Sequence, residues 1–138
     1  MRRNTEHYPD PTFDEAYANI RREEQGENHV PCVYIASPYR GDTATNILNA
    51  KRYSRYAVQQ GRLPMCSHIY FTQFLDDGNE TERRKGLNLA LQMLKRCKEM
   101  WMFGDTVSEG MQNEIKAARR WNIPIRFFDS KQREVPGR

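Results

Sequence analysis

The sequence predicts an α/β domain: a three-layer sandwich in which a parallel sheet of four to five strands carries helices on both faces. Between residues 30 and 128, short runs of β-branched and aromatic residues alternate with segments of helical periodicity. Such alternation is typical of parallel strands joined by right-handed helical crossovers, as in Rossmann-like (flavodoxin-like) folds. A chain of 138 residues is also long enough for one domain to bury a core without disulfides or a metal.

Residues 1–29 are polar and are expected to form an N-terminal extension with one amphipathic helix. Over Thr12–Glu24, four apolar residues recur at helical spacing: Phe13, Ala16, Tyr17 and Ile20. Thr12 and Glu15 have the form of a capping box, which predicts the start of this helix. Because an isolated helix of this length is marginal in water, its apolar stripe is expected to pack on the main domain or on another subunit. Gly26 and its neighbours predict a linker.

The main domain, residues 30–130, begins with the strand-like run Val30–Ala36. A helix is expected over Thr43–Gln60, and Gly61 is a natural C-terminal stop. Leu63–Ser67 predicts a short second strand. His68–Phe71 is expected to continue from it into a loop.

A third helix is expected over Thr81–Lys95, with a buried face made of Leu87, Ala90, Leu91 and Leu94. Cys97–Phe103 predicts a buried strand, Met111–Arg120 a helix and Ile123–Phe128 a last strand. The polar residues 131–138 predict a flexible tail.

Glu114 is the most unusual residue of this pattern. It belongs to a stripe with the i, i+3, i+4, i+7 spacing of a core-facing helix: Met111, Glu114, Ile115 and Ala118. A charge on the apolar side of a helix is costly unless something pairs with it. Two interpretations remain open: a structural carboxylate tethered by an arginine, or a nucleophile or base whose ionisation is tuned by partial burial.

Three polar loops follow strands, so they are expected to meet at one edge of the sheet, where ligands bind in such folds: Ser37–Gly41, His68–Asp77 and Gly104–Gly110. The first loop opens a helix and offers backbone N–H groups, a hydroxyl and the Arg40 guanidinium, which suits a phosphate. It could equally be a plain turn in which Ser37 and Asp42 cap the helix. Ser108 is likewise either an N-cap or a ligand contact.

Other titratable groups that could reach this edge are Tyr34, His68, Asp76, Asp77 and Glu99. His68 could instead be a satisfied loop histidine. The Asp76-Asp77-Gly78 segment could equally be a turn.

The composition limits the classes of partner and location. The 22 basic and 18 acidic residues give a formal charge of +4, which suits an anionic small molecule as well as nucleic acid. The basic residues lack a regular interleaving of aromatics, so nucleic-acid binding is unsupported. No apolar run could span a bilayer and the N-terminus lacks the apolar core of a secretory signal, so a cytoplasmic protein without a membrane partner is expected. Cys32, Cys66 and Cys97 form no CxxC pair, which predicts reduced, buried thiols and no metal or cofactor.

Two groups of residues resemble the nucleoside 2-deoxyribosyltransferase superfamily and its nucleotide N-glycosidase relatives: Tyr34-Ile35-Ala36-Ser37-Pro38 followed by Arg40-Gly41, and Ser108 with Gly110 and then Glu114 six residues after Ser108. The resemblance runs from about Val33 to Phe128. It extends to small bacterial and phage members with SPYRGD, FLDD and SEGM motifs.

This resemblance implies a function for the edge of the sheet. Glu114 would attack the anomeric carbon of a nucleoside or nucleotide, with Tyr34 beside it. The residues implied for binding of the substrate and its 5′-phosphate are Ser37, Arg40, Gly41, His68, Asp76, Ser108, Gly110 and Met111. The family also implies a homo-oligomer. The sequence thus predicts cleavage or base exchange of a nucleotide N-glycosidic bond, and the alternative is a protein that binds a nucleotide in the same pocket without catalysis.

The proton donor for the departing base is not assigned by these motifs. Relatives place an aspartate near the segment that corresponds to Lys98–Trp101, whereas this chain has Lys98-Glu99. The candidates are Asp77, Asp76 and Glu99, in that order, because the loop bearing the aspartates follows a strand and should face the pocket.

Overall fold

The structure, a computed structural model, describes residues 11–24 and 29–137. The chain divides into two compact units, Met1–Val30 and Pro31–Arg138. In the first unit the expected helix is present as α1 (Pro11–Glu24), on which the rings of Phe13 and Tyr17 stack with centroids 6.5 Å apart. Residues 1–10, the predicted linker around residues 25–28 and the last residue of the tail lie outside the described residues.

The second unit confirms the predicted α/β sandwich. Its elements in chain order are β1 (Cys32–Ala36), α2 (Thr43–Gln59), β2 (Leu63–Met65), α3 (Ser67–Tyr70), α4 (Glu80–Lys95), β3 (Glu99–Phe103), α5 (Glu109–Arg120), β4 (Ile125–Phe128) and β5 (Glu134–Val135). The strands lie in the order β2-β1-β3-β4-β5. The first four are parallel, and β5 is antiparallel to β4.

The alternation of side chains along the central strands forms two cores, one on each face of the sheet. On one face, Val33 and Ile35 of β1 pack with Ala50 and Tyr53 of α2 and with the buried aromatic residues of β3 and β4. On the other, the intervening residues of β1 and β3 pack against α4 and α5. Tyr34 therefore lies on the side of the sheet covered by α4 and α5.

The segment after β2 differs from the expected strand and loop. It forms α3 and a 3-10 turn, Phe71–Gln73. The pairing of β2 with β1 covers Leu63, Pro64 and Met65 and ends where Met65 lies opposite Tyr34. Beyond that point the side chain of Thr72 donates a hydrogen bond to the carbonyl of His68, 2.6 Å away, which supports the helical turn.

The tail and one helix face also require correction. Residues 134 and 135 are not part of a flexible tail, because β5 pairs with β4 and the Glu134 carboxylate accepts two hydrogen bonds from Arg126, at 2.8 and 2.9 Å. On α4, Ala90 and Leu94 are buried as expected, but Leu87 is 50% exposed. Within residues 11–24 and 29–137, no helix is long and apolar enough to cross a bilayer.

Candidate active site

A cavity of about 520 Å³ opens beside the carboxyl ends of β1 and β3, in the size range of small-molecule sites. The loop after β1 forms one side, α3 and α4 form a second, and the start of α5 forms the third. The lining residues that matter for its chemistry are Tyr39, Arg40, Ser67, His68, Asp77, Arg83, Ser108, Gly110, Met111 and Glu114. The sheet edge predicted to carry the site therefore does border a cavity.

Glu114 lies in the wall of this cavity, with 8% of its surface exposed. The side chain of Ser108 caps α5 by accepting a hydrogen bond from the backbone N–H of Met111, 3.2 Å away. All four residues of the predicted stripe are buried. The start and phase of α5 thus bring a carboxylate into a largely apolar wall, as the periodicity indicated.

Tyr34 lies behind Glu114 and is fully buried. Its hydroxyl forms hydrogen bonds with the Glu114 carboxylate and with Ser67 Oγ, the latter at 2.9 Å. Burial raises the pKa of Glu114 to about 7, against the opposing effect of the hydrogen bond from Tyr34. Burial and the Glu114 charge also hold the pKa of Tyr34 well above its usual value, so the phenol is a neutral donor.

His68 forms part of the wall next to the loop after β1. Its Nε2 lies 3.0 Å from the carbonyl oxygen of Ser37, and its ring stacks on Tyr39 with centroids 4.9 Å apart. Because a carbonyl oxygen only accepts, Nε2 carries the proton. Burial lowers the pKa of His68, so the ring is neutral and its Nδ1 is a hydrogen-bond acceptor.

Two arginines meet an aspartate at the mouth of the cavity. Arg40 Nε lies 3.3 Å and Arg83 Nε 4.0 Å from the carboxylate of Asp77. The adjoining wall is apolar and consists of Phe71, Leu75, Leu87, Ala90 and Leu91. One end of the cavity therefore offers positive charge, and the side facing α4 offers a surface suited to a flat apolar group.

The structure brings most of the predicted site residues to the cavity. They are Arg40, His68, Asp77, Ser108, Gly110, Met111 and Glu114, with Tyr34 behind Glu114. Three predicted binding residues do not line it. The Ser37 hydroxyl is buried without a hydrogen-bond partner among the described residues and borders a separate cavity of about 230 Å³. Gly41, with φ +98°, shapes the turn, and Asp76 accepts a hydrogen bond from the Gly78 N–H at 2.9 Å, as in the alternative turn interpretation.

Glu99 does not reach the cavity. It lies at the start of β3, at the opposite end of the strand, where it accepts a hydrogen bond from Trp101 Nε1 at 3.2 Å and pairs with Arg62 at 3.8 Å. It also lies on the α2 face of the sheet, since it shares a side of β3 with Trp101. Glu99 is thus excluded as a proton donor in this cavity. The helix after β1 is capped by Asp42, whose side chain accepts from Thr45 N, and not by Ser37.

Sequence reasoning missed Ser67 and Arg83. Ser67 fell at the end of a predicted strand and carried no motif, whereas the structure places it at the start of α3 beside Tyr34. Arg83 lies in the basic run Arg83-Arg84-Lys85 of an expected helix and belongs to none of the motifs. Within the described residues, no group of three or more His, Cys, Asp or Glu side chains could hold a metal ion.

Gly104 is the residue at which the loops after β1 and β3 approach each other. Its φ is +110°, and a Cβ there would lie 3.4 Å from Pro38 Cδ. We expect Gly104→Ala to destabilise the fold by about 1–3 kcal/mol, because an L residue is strained at this φ. Urea unfolding measures this effect. The control is Gly110→Ala, where a Cβ would meet nothing closer than 4.0 Å and a change within about 0.5 kcal/mol is expected. Equal stability of the two variants would contradict this account of Gly104.

Comparison with known proteins supports the fold. Residues 31–128 match the sequence model of a family described as a domain of unknown function, DUF7768. Among solved structures, a 2-deoxyribosyltransferase from the psychrotolerant bacterium Bacillus psychrosaccharolyticus is similar, with a TM-score of 0.55 and 18% sequence identity over 76% of each chain. At that identity the likeness shows a common fold. None of the curated proteins matches the sequence.

Proposed function

Since this chain belongs to the DUF7768 family and has the fold of a 2-deoxyribosyltransferase, we propose that it cleaves or exchanges the N-glycosidic bond of a nucleoside 5′-monophosphate or a related nucleotide. The structurally similar enzyme is described as a biocatalyst for nucleoside synthesis, which supports a nucleoside-type substrate. The observation that carries the proposal is the carboxylate of Glu114, buried in the cavity wall and hydrogen-bonded to Tyr34. A carboxylate held this way has the position and the raised pKa of a functional group.

The proposed reaction has two steps at the anomeric carbon. First, a carboxylate oxygen of Glu114 attacks C1′ and the C1′–N bond breaks; its electron pair leaves with the base, which takes up a proton. Second, water or another base attacks C1′, and the bond between C1′ and Glu114 breaks, which restores the carboxylate. An attacking water gives up its proton in this step. Tyr34 donates a hydrogen bond to the carboxylate and so orients it toward the cavity.

The proposed substrate fits the two chemistries of the cavity. Arg40 at the mouth and the N-terminus of α5, capped by Ser108, are suited to the 5′-phosphate. The apolar wall along α4 is suited to a base, which is flat and exposes a π-face. In this arrangement the sugar lies between them, next to Glu114.

Arg40→Ala is expected to weaken binding of a nucleoside 5′-monophosphate by about 10-fold to 100-fold, because a charge-assisted hydrogen bond to phosphate is lost. Binding of the corresponding nucleoside should change far less. Isothermal titration calorimetry with both ligands measures the difference. Arg84→Ala is the matched control, since Arg84 is exposed and pairs with Glu80 at 3.1 Å, outside the cavity. Equal losses for nucleotide and nucleoside in Arg40→Ala would show that Arg40 does not bind the phosphate.

Asp77 remains the candidate proton donor for the departing base. It is the predicted aspartate that lines the cavity, and its carboxylate is bonded by Arg40. A phosphate bound by Arg40 would replace Asp77 as the partner of this guanidinium. Binding of the substrate would then release Asp77 to take part in proton transfer.

The ion pairs of Asp77 also favour a second candidate function, the binding of a nucleotide without catalysis. A site whose proton donor stays in its ion pairs would hold a nucleotide intact. Thermal-shift titration detects such binding, because a ligand of the folded state raises the midpoint of unfolding. Recovery of the nucleotide unchanged after long incubation would favour this second function.

The proposed reaction is tested by incubating the protein with a panel of ribonucleoside and deoxyribonucleoside 5′-monophosphates, with and without a second base as acceptor. Chromatography then measures free base and exchanged product. Release by the wild type supports the proposal. No release or exchange across the whole panel would overturn it.

A further inference from the structure

The hydroxyl of Ser67 extends the pair formed by Tyr34 and Glu114 into a chain of three polar side chains. Ser67 is the first residue of α3 and is 5% exposed, and its Oγ lies 2.9 Å from the Tyr34 hydroxyl. Tyr34 is fully buried in a core that is otherwise apolar around it. Buried polar groups are costly unless they are hydrogen-bonded, so the orientation of each hydroxyl is constrained by its neighbours.

The number of protons fixes the direction of this chain. An ionised carboxylate only accepts, so Tyr34 must donate its single hydroxyl proton to Glu114. The Tyr34 oxygen then accepts, and Ser67 must be the donor to it. When Glu114 is protonated it can donate to Tyr34, which in turn can donate to Ser67. When Glu114 is charged, the hydrogen bonds can run only from Ser67 to Tyr34 to Glu114. When Glu114 is neutral, the reverse direction is also allowed.

We propose that Ser67 is a positioning residue that, by donating to the Tyr34 hydroxyl, keeps the Tyr34 proton directed at the Glu114 carboxylate and so holds Glu114 in its charged form. The consequence of this role for catalysis rests on the proposed function, since a nucleophilic carboxylate must be charged to attack. The effect of Ser67 on the charge of Glu114 does not depend on that function. Ser67 acts through Tyr34: its hydrogen bond to the Tyr34 hydroxyl polarises that hydroxyl and so strengthens the hydrogen bond from Tyr34 to Glu114.

The other groups near Glu114 do not supply the same effect. Cys66, the residue before α3, interacts electrostatically with Glu114 but is neutral, since burial raises the pKa of its thiol. His68 on α3 is neutral, because burial lowers its pKa. The charged groups of the cavity wall are Arg40, Asp77, Glu82, Arg83 and Glu109. Among these neighbours, Tyr34 is the group whose hydrogen bond lowers the pKa of Glu114 against the effect of burial.

The test is a pH titration of the Glu114 side-chain carboxyl by ¹³C NMR, with the resonance assigned by its loss in Glu114→Gln. We expect Ser67→Ala to raise the pKa of Glu114 by about half a unit to one unit, the effect of one weakened hydrogen bond. Ser67→Thr keeps the hydroxyl and should titrate as the wild type. Ser67→Cys, close in size but with a weak S–H donor, should shift in the same direction as Ser67→Ala and replaces it if the alanine variant does not fold.

Two controls separate this role from a general effect on structure. Thr45→Ala removes a hydroxyl of α2 that donates to the Asp42 carboxylate at 2.8 Å, away from the cavity, and the pKa of Glu114 should not change. In a Tyr34→Phe background, Ser67→Ala should produce no additional shift, because the group through which Ser67 acts is gone. A Glu114 titration in Ser67→Ala or Ser67→Cys that matches the wild type would overturn the proposal, as would an equal shift in the Tyr34→Phe background.

The titration needs no substrate, so it is independent of the proposed reaction. If the wild type releases no base but Ser67→Ala shifts the pKa of Glu114, the proposed function is refuted and the role of Ser67 stands. If the wild type releases base but Ser67→Ala does not shift that pKa, the role of Ser67 is refuted and the proposed function stands.

Discussion

Glu114→Gln is expected to reduce base release from a nucleoside 5′-monophosphate by at least about 10³-fold, while the affinity for the nucleotide changes little. The amide has nearly the size of the carboxylate and its oxygen can still accept the hydrogen bond from Tyr34. It lacks the charge that forms the bond to C1′ and stabilises the developing positive charge on the sugar. Loss of an interaction made only in the transition state lowers kcat and leaves substrate binding.

The measurement is chromatographic base release under single-turnover conditions, with affinity from calorimetry on the same samples. Glu109→Gln is the matched control. Glu109 is an exposed carboxylate at the first position of α5 that also borders the cavity, five residues before Glu114. Loss of the Glu109 charge should change the rate far less, because Glu109 is not part of the hydrogen-bonded series formed by Ser67, Tyr34 and Glu114. Residual turnover in Glu114→Gln within 10-fold of the wild type would show that another group is the nucleophile.

The burial of Glu114 could be predicted from the sequence, because helical periodicity depends only on residues close together in the chain. The same signal that placed Met111, Ile115 and Ala118 in the core placed Glu114 beside them, and the structure buries all four. The two central strands, β1 and β3, were also predictable, since each is a run of mostly apolar residues buried in a sheet that helices cover on both faces. Their ends were less certain, and β1 begins at Cys32, after Pro31, which has no N–H to donate to a neighbouring strand.

The features that sequence reasoning missed depend on contacts between distant residues. Ser67 and Tyr34 are 33 positions apart, and no local pattern indicates that their hydroxyls meet. The two residues of β5 are too few to show a period, and the strand depends on the pairing of Glu134 with Arg126 across the sheet edge. For α3, four residues likewise give no periodic signal. Glu99 was misplaced for a different reason: the position of a residue along its strand decides which end of the sheet it occupies.

The buried carboxylate should also make stability depend on pH in a direction unusual for an acidic residue. The pKa of Glu114 is about 7 in the folded chain, against an ordinary value of 4.5. Between these values the folded state holds a proton that the unfolded state has lost, so stability falls as pH rises. The contribution of Glu114 is fully present below pH 4.5 and is lost as the pH passes about 7, a decrease of about 3 kcal/mol.

Subtracting Glu114→Gln from the wild type isolates this effect. His68 acts in the opposite sense, because its lowered folded pKa makes stability fall as pH decreases through the range below its ordinary value of 6.5. That contribution is common to both proteins and cancels in the difference. Urea unfolding of each protein between pH 4.5 and 8.5 should therefore show the wild type losing stability relative to Glu114→Gln as the pH rises. A difference that is constant with pH, or that grows in favour of the wild type, would mean that folding does not raise the pKa of Glu114, and the buried position derived for it would then be wrong.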